Sequence, residues 1–150
     1  MASTFANLIY HVVFSTKNRE PMISPAIELE LHAYLGGTVK SEGGVILAVG
    51  GRPDHVHLLM KLKPSRALSD MIRLVKSSSS KWMNEQNRIL GRFAWQDGFG
   101  AFTVRESQAR RVVAYVSDQE EHHRTLSFRE ELVSLLKKHG VVYEERYLLG

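Results

Sequence analysis

Cysteine is absent from the 150 residues. Disulfides, thiolate zinc sites and a cysteine nucleophile are therefore excluded. No apolar run approaches the roughly 20 residues that a bilayer-spanning helix needs. The first residues, MASTFANLIYHVVFSTKNR, place no basic segment ahead of their apolar run. They read as a strand and not as a secretory signal, and a cytoplasmic protein is expected. Internal repeats, long linkers and low-complexity tracts are missing too, apart from the four serines Ser77 to Ser80.

What is present is ordinary for a folded chain. Hydrophobic residues make up 43% and charged residues 24%, near the globular average, so neither disorder nor a membrane protein is indicated. The length suits one domain over 1–150 with a real interior. The net charge of +4 makes nucleic acid a candidate partner through counterion release, although charge alone is a weak pointer.

Periodicity gives the order of elements. Leu8 to Ser15, rich in β-branched and aromatic residues, predicts a strand. Ser24 and Pro25 look like an N-cap and first-turn proline of a helix to about Lys40, with Ile27, Leu31, Tyr34 and Leu35 at helical spacing. Gly43 and Gly44 end it and lead into a strand over Val45 to Val49. Gly50, Gly51 and Pro53 mark a turn before the alternating segment DHVHLLMKLKP. Pro64 and Ser65 are expected to open a second helix carrying Leu68, Met71, Ile72, Val75 and Trp82. A loop around GRFAWQDGFG leads to a strand near Ala101 to Arg105. Ser107 then caps a helix over about 107–123, and SFRE, Ser127 to Glu130, is a capping-box pattern for a last helix stopped by Gly140. Strand, helix, strand, strand, helix, strand matches an α+β, ferredoxin-like (RRM-like) antiparallel sheet with helices on one face, plus C-terminal helices. Such a layout leaves its other face available for ligands or a partner, and many activities share it.

Two pairs of residues carry possible chemistry. In the alternating strand Val56, Leu58, Met60 and Leu62 share one face, while His55, His57, Leu59 and Lys61 share the other. His55 and His57 stand about 7 Å apart at Cα by strand rise. Two imidazoles at that spacing can share one metal ion, or they can be an ordinary half-exposed pair. Tyr115 and Gln119, four apart on a helix, share a face. A phenol can bond covalently to phosphorus, and an amide oxygen suits a hard divalent cation. The plain alternative is core packing with the hydroxyl at the rim.

Taken together, RPDHVHLLM followed by a helical Tyr-x-x-x-Gln resembles the HUH single-tyrosine transposases of the insertion-sequence IS-200/605 group, Val56 filling the bulky apolar position. YHVVFSTKNRE, WQDGFGAFTV and VVAYVSDQEEHH look like the same family, in the expected order from about Leu8 to His123. The resemblance implies that His55, His57 and Gln119 hold Mg2+ or Mn2+ and that Tyr115 is the nucleophile. It implies cleavage and rejoining of single-stranded DNA through a 5′-phosphotyrosine link and a free 3′-hydroxyl, with no nucleotide cofactor. It also implies a homodimer acting on single-stranded transposon ends with imperfect hairpins.

Lys17, Arg19, Arg52, Lys76, Lys81, Arg92 and Arg105 are the basic candidates for the DNA backbone, and Trp95 and Phe99 could stack on unpaired bases. Asp54 could orient one of the two histidines. His11 has no assigned role, and His122 and His123 read as surface residues. Two other readings remain at this stage. One is a non-catalytic RRM-like binding module, which would carry aromatics where His55 and His57 stand. The other is a metal-dependent phosphodiesterase that uses water and leaves Tyr115 dispensable.

Overall fold

The computed structural model describes residues 3–148. Four strands, β1 (Leu8–Ser15), β2 (Val45–Arg52), β3 (His55–Leu62) and β4 (Gly100–Val104), pair in the order β2-β3-β1-β4. Every pairing is antiparallel, which is the ferredoxin-like arrangement expected. Helices α1 (Pro25–Ser41) and α2 (Leu68–Glu85) cross one face. Strand alternation sends Val12, Phe14, Val56, Leu58 and Met60 into that interface, where they meet Ile27, Leu31 and Leu35 of α1 and Met71, Ile72 and Val75 of α2. Each such side chain, fully withdrawn from water, stabilises the fold by about 1.5–3 kcal/mol.

Several boundaries differ from expectation. β2 continues through Gly50 and Gly51 to Arg52, so the turn is confined to Pro53 and Asp54. α2 begins at Leu68, not at Pro64, because the intervening residues form a turn closed by Arg66 N–H donating to the Lys63 carbonyl. The helix expected over 107–123 is in pieces. A 3-10 turn at Glu106–Gln108 precedes α3 (Ala109–Ser117), and Asp118, with φ −110° and ψ 36°, breaks the chain before α4 (Gln119–His122). Ser127 forms the expected capping box and opens α5 (Phe128–Lys138).

The expectation of an open second face is corrected. α3 and α5 roof it. Val116 packs on Ile9 and Leu59, while Phe128, Leu132, Leu135 and Leu136 of α5 pack on Val13 and Phe102. The C-terminal helices bury this face because their own apolar stripes need an interior.

Gly50 sets how closely α3 approaches. A Cβ there would sit 1.8 Å from the Val116 carbonyl oxygen, an overlap with backbone that no rotamer relieves. By contrast, a Cβ on Gly37 in α1 meets nothing within 4 Å. Gly50→Ala should therefore lower stability by about 1–3 kcal/mol, and Gly37→Ala should be neutral or raise it by up to about 1 kcal/mol. Denaturant melts of both variants check this; equal effects would contradict the close approach.

Candidate active site

His55 and His57 both lie on the roofed face of β3 and are fully buried. The three histidines gathered here are each anchored from behind at Nδ1. His55 Nδ1 donates to Asp54 Oδ1 at 2.7 Å. His57 Nδ1 pairs with His11 Nε2 at 2.8 Å. His123 Nδ1 donates to the Leu126 carbonyl at 2.5 Å. All three Nε2 atoms consequently turn toward one point between β3, α4 and α5. An outer hydrogen bond that fixes ring orientation in this way is the usual support of a metal-binding imidazole.

At that point stands Glu131. The α5 stripe of Phe128, Leu132 and Leu135 carries it inward, and it is only 1% exposed. Its Oε1 lies 2.9 Å from His57 Nε2, 3.0 Å from His123 Nε2 and 3.4 Å from His55 Nε2. Its Oε2 accepts the Tyr115 hydroxyl at 2.5 Å. Gln119, held by its Nε2 donating to the Tyr115 carbonyl at 3.2 Å, turns its Oε1 to His55 Nε2 at 3.1 Å. The nucleophile candidate and the two histidine candidates therefore meet at one carboxylate, with Gln119 joined to it through His55 and His123.

Burial alone would raise the Glu131 pKa, but hydrogen bonds with His123, His55 and His57 hold it well below the usual carboxylate range. For His55, burial opposes protonation, yet the Asp54 and Glu131 carboxylates prevail and lift it to about 9. His57, wholly enclosed, is lowered by burial. His11 falls to about 3 through burial and the neighbouring His57. Burial, reinforced by the Glu131 carboxylate, pushes the Tyr115 hydroxyl far above its ordinary value, so the phenol keeps its proton.

The donor atoms of His55, His57, His123 and Glu131 all lie within 4.8 Å of one another. Imidazole nitrogens with a carboxylate suit a divalent metal, so this buried cluster could hold one.

Residues 4–119 match the family described as Transposase IS200 like. The chain belongs to that family. Membership assigns this transposase its function at the level of the family. The chain is 24% identical over 117 residues to the ISDra2 transposase TnpA of Deinococcus radiodurans, a match covering 75% of this chain and 84% of that one. Among solved structures, a Deinococcus radiodurans transposase superposes with a TM-score of 0.64 at 22% identity, covering 82% of this chain and 96% of the other. A REP-associated tyrosine transposase bound to a REP hairpin gives 0.56 at 17% identity, covering 77% and 70%. Both share the fold.

Within the transposase, His55, His57, Gln119 and Tyr115 come together as the sequence suggested, and Asp54 does reach His55. His123 is not a surface residue; its side chain is 8% exposed because α4 turns it inward. His11, given no role, supports His57. Glu131 escaped notice, although a glutamate amid the apolar positions Phe128, Leu132 and Leu135 was the available signal. The basic candidates scatter. Lys17 and Arg92 share a surface hollow, Lys81 is exposed on α2, and Arg52 ends β2. Arg19 closes the 3-10 turn Lys17–Arg19 that Lys17 opens. Lys76 Nζ donates to the carbonyls of Gln96 at 2.8 Å and Gly98 at 2.6 Å, tying the loop before β4. Burial lowers its pKa to about 8. Arg105 alone lines the cavity beside Tyr115. Trp95 is buried between Phe14 and Phe93 and donates its indole N–H to Ser79 Oγ at 2.9 Å, so it is unavailable for base stacking. Phe99 is 38% exposed.

The raised His55 pKa has a definite sign. Its contribution to stability is complete below the unfolded value of 6.5 and is lost as pH climbs through about 9. Chelator-treated protein should lose melting temperature between those pH values, and Asp54→Asn should flatten the loss. A melting temperature independent of pH over that window would refute the assignment.

Proposed function

We propose that Tyr115 cleaves and rejoins single-stranded DNA with a divalent metal bound at His55, His57 and Gln119. The observation that carries this reading is the convergence of the Tyr115 hydroxyl and the buried histidines on one carboxylate, in a chain of the IS200-like transposase family. The Tyr115 oxygen attacks phosphorus, forming an Oη–P bond while the P–O3′ bond breaks. The phenolic proton passes to Glu131 Oε2, its acceptor in the resting site. The departing 3′ oxygen takes up a proton from water, to which Glu131 returns the phenolic proton, so a free hydroxyl leaves and the 5′ side stays linked as a phosphotyrosine. A 3′-hydroxyl from a second strand reverses these steps and rejoins the DNA. Asp54 and His11 keep the His55 and His57 rings aligned. When bound, a magnesium or manganese ion supplies polarisation of the scissile phosphate.

The substrates on this reading are hairpin transposon ends, a hairpin also being what the REP-associated tyrosine transposase is bound to, and the working form is a cytoplasmic homodimer. A single chain already brings Tyr115 to its own histidines. Dimerisation is supported by the family resemblance alone.

Labelled single-stranded DNA carrying the hairpins that flank the gene, incubated with protein and manganese, should yield a covalent adduct on a denaturing gel. Tyr115→Phe should reduce it by more than about 1,000-fold, and a chelator should abolish it. Cleavage that survives Tyr115→Phe without an adduct would mean hydrolysis. Binding with neither cleavage nor adduct would mean a non-catalytic binding module.

A further inference from the structure

A cavity of about 530 Å³ opens beside Tyr115, between β4, α3 and α5. Its walls combine two chemistries. Val104, Val112 and Leu135 make an apolar slot, and Arg105, Arg111 and Lys138 surround it with positive charge. Among the described residues none of these three cations forms an ion pair or a hydrogen bond. Among the described residues no carboxylate lines the cavity. Its inner end is formed by the Tyr115 ring and by His11, whose Nε2 meets His57 Nδ1 at 2.8 Å. The space therefore leads from a cationic rim to the supporting layer of the metal-ligand candidates.

We infer that this cavity seats an unpaired nucleotide of the DNA strand next to the cleaved phosphate, its base between the apolar walls and its flanking phosphates on Arg111 and Lys138. The inference rests on the cleavage reading above for its location, although not for its chemistry. A nucleotide joins a flat, largely apolar ring to an anion, and this lining offers both complements in the size range of a small-molecule pocket. Inorganic phosphate would leave the apolar walls unused. A base paired in a duplex cannot enter, because it must leave the stack to reach an enclosed pocket. Three cations without partners are held close together only at a cost in mutual repulsion, which an arriving polyanion relieves.

The test is fluorescence anisotropy of 5′-fluorescein-labelled hexathymidylate with the full chain in chelator, so that binding is read without cleavage. The double variant Arg111→Ala/Lys138→Ala should weaken binding by about tenfold or more. It should also reduce the slope of log Kd against log salt by about 1.4, the value for two single-strand phosphate contacts. Both residues are exposed, and a melting curve confirms that the variant is folded. Arg73→Ala, on the opposite side of the sheet in α2, should stay within about twofold. A hexamer of the same charge lacking bases should bind about tenfold more weakly than hexathymidylate, and inorganic phosphate should not compete at equal concentration.

Unchanged binding in the double variant would overturn the assignment, as would equal binding of the abasic hexamer, which would mean charge attraction alone. The two readings fail separately. An adduct that forms normally while the double variant binds normally removes the cavity assignment and leaves cleavage standing. Loss of binding in the double variant without any adduct from the wild type does the reverse.

Discussion

A carboxylate shut away from water has to be matched by protons or by a cation, and Glu131 is such a group. Its position ties together pieces of chain that are otherwise far apart: β3 through His55 and His57, the end of α4 through its C-cap His123, α3 through Tyr115, and α5 on which it rides. Withdrawing it would leave three imidazoles facing one another in an enclosed space. The C-terminal helices are thus fastened to the sheet by a polar knot as well as by Phe128, Leu132 and Val116. This polar centre makes their placement specific, since apolar stripes alone tolerate sliding that a hydrogen-bonded charge does not.

Around that centre the two faces of the sheet have divided their work. Strand alternation commits Val56, Leu58 and Met60 to a dry interface with α1 and α2. On the other face of the same strand His55 and His57 go to the buried polar site, while Leu59 packs under Val116. Loop residues that look like binding elements serve this division. Lys76 and Trp95 both fasten the segment before β4, one through carbonyl oxygens and the other through Ser79. The serine run of α2 supplies that hydroxyl, and Ser79 also donates to the Val75 carbonyl at 2.6 Å.

Periodicity revealed most of the architecture because the first six elements are each regular over several residues. The alternation across His55 to Leu62 even separated the histidines from the core. It could not reveal that the histidine face is covered, since α3 to α5 are short and their partner surface depends on tertiary docking. The spacing of Tyr115 and Gln119 placed both on one side of a helix, yet a helical period carries no sign of the break at Asp118. His123 and Glu131 were illegible for a related reason. Their importance lies in convergence from different elements, and only Glu131 left a trace, as a charge within an apolar stripe. The structural ties of Lys76 and Trp95 were not legible either, because a cation beside an aromatic reads the same whether it faces a base or a backbone carbonyl.

The break at Asp118 separates what a continuous helix would have welded together. Tyr115 rides on one rigid rod and Gln119 begins the next, with one residue's dihedral angles between them. The rods are anchored at different places, α3 by its contact with Gly50 and by Tyr115 on Glu131 Oε2, α4 by Gln119 on His55. Gln119 Nε2 bonded to the Tyr115 carbonyl is a soft spring across that joint. The histidines reach Glu131 from β3 and from the residue after α4, so the cage is assembled without α3, and the phenol is an addition to it rather than part of its frame.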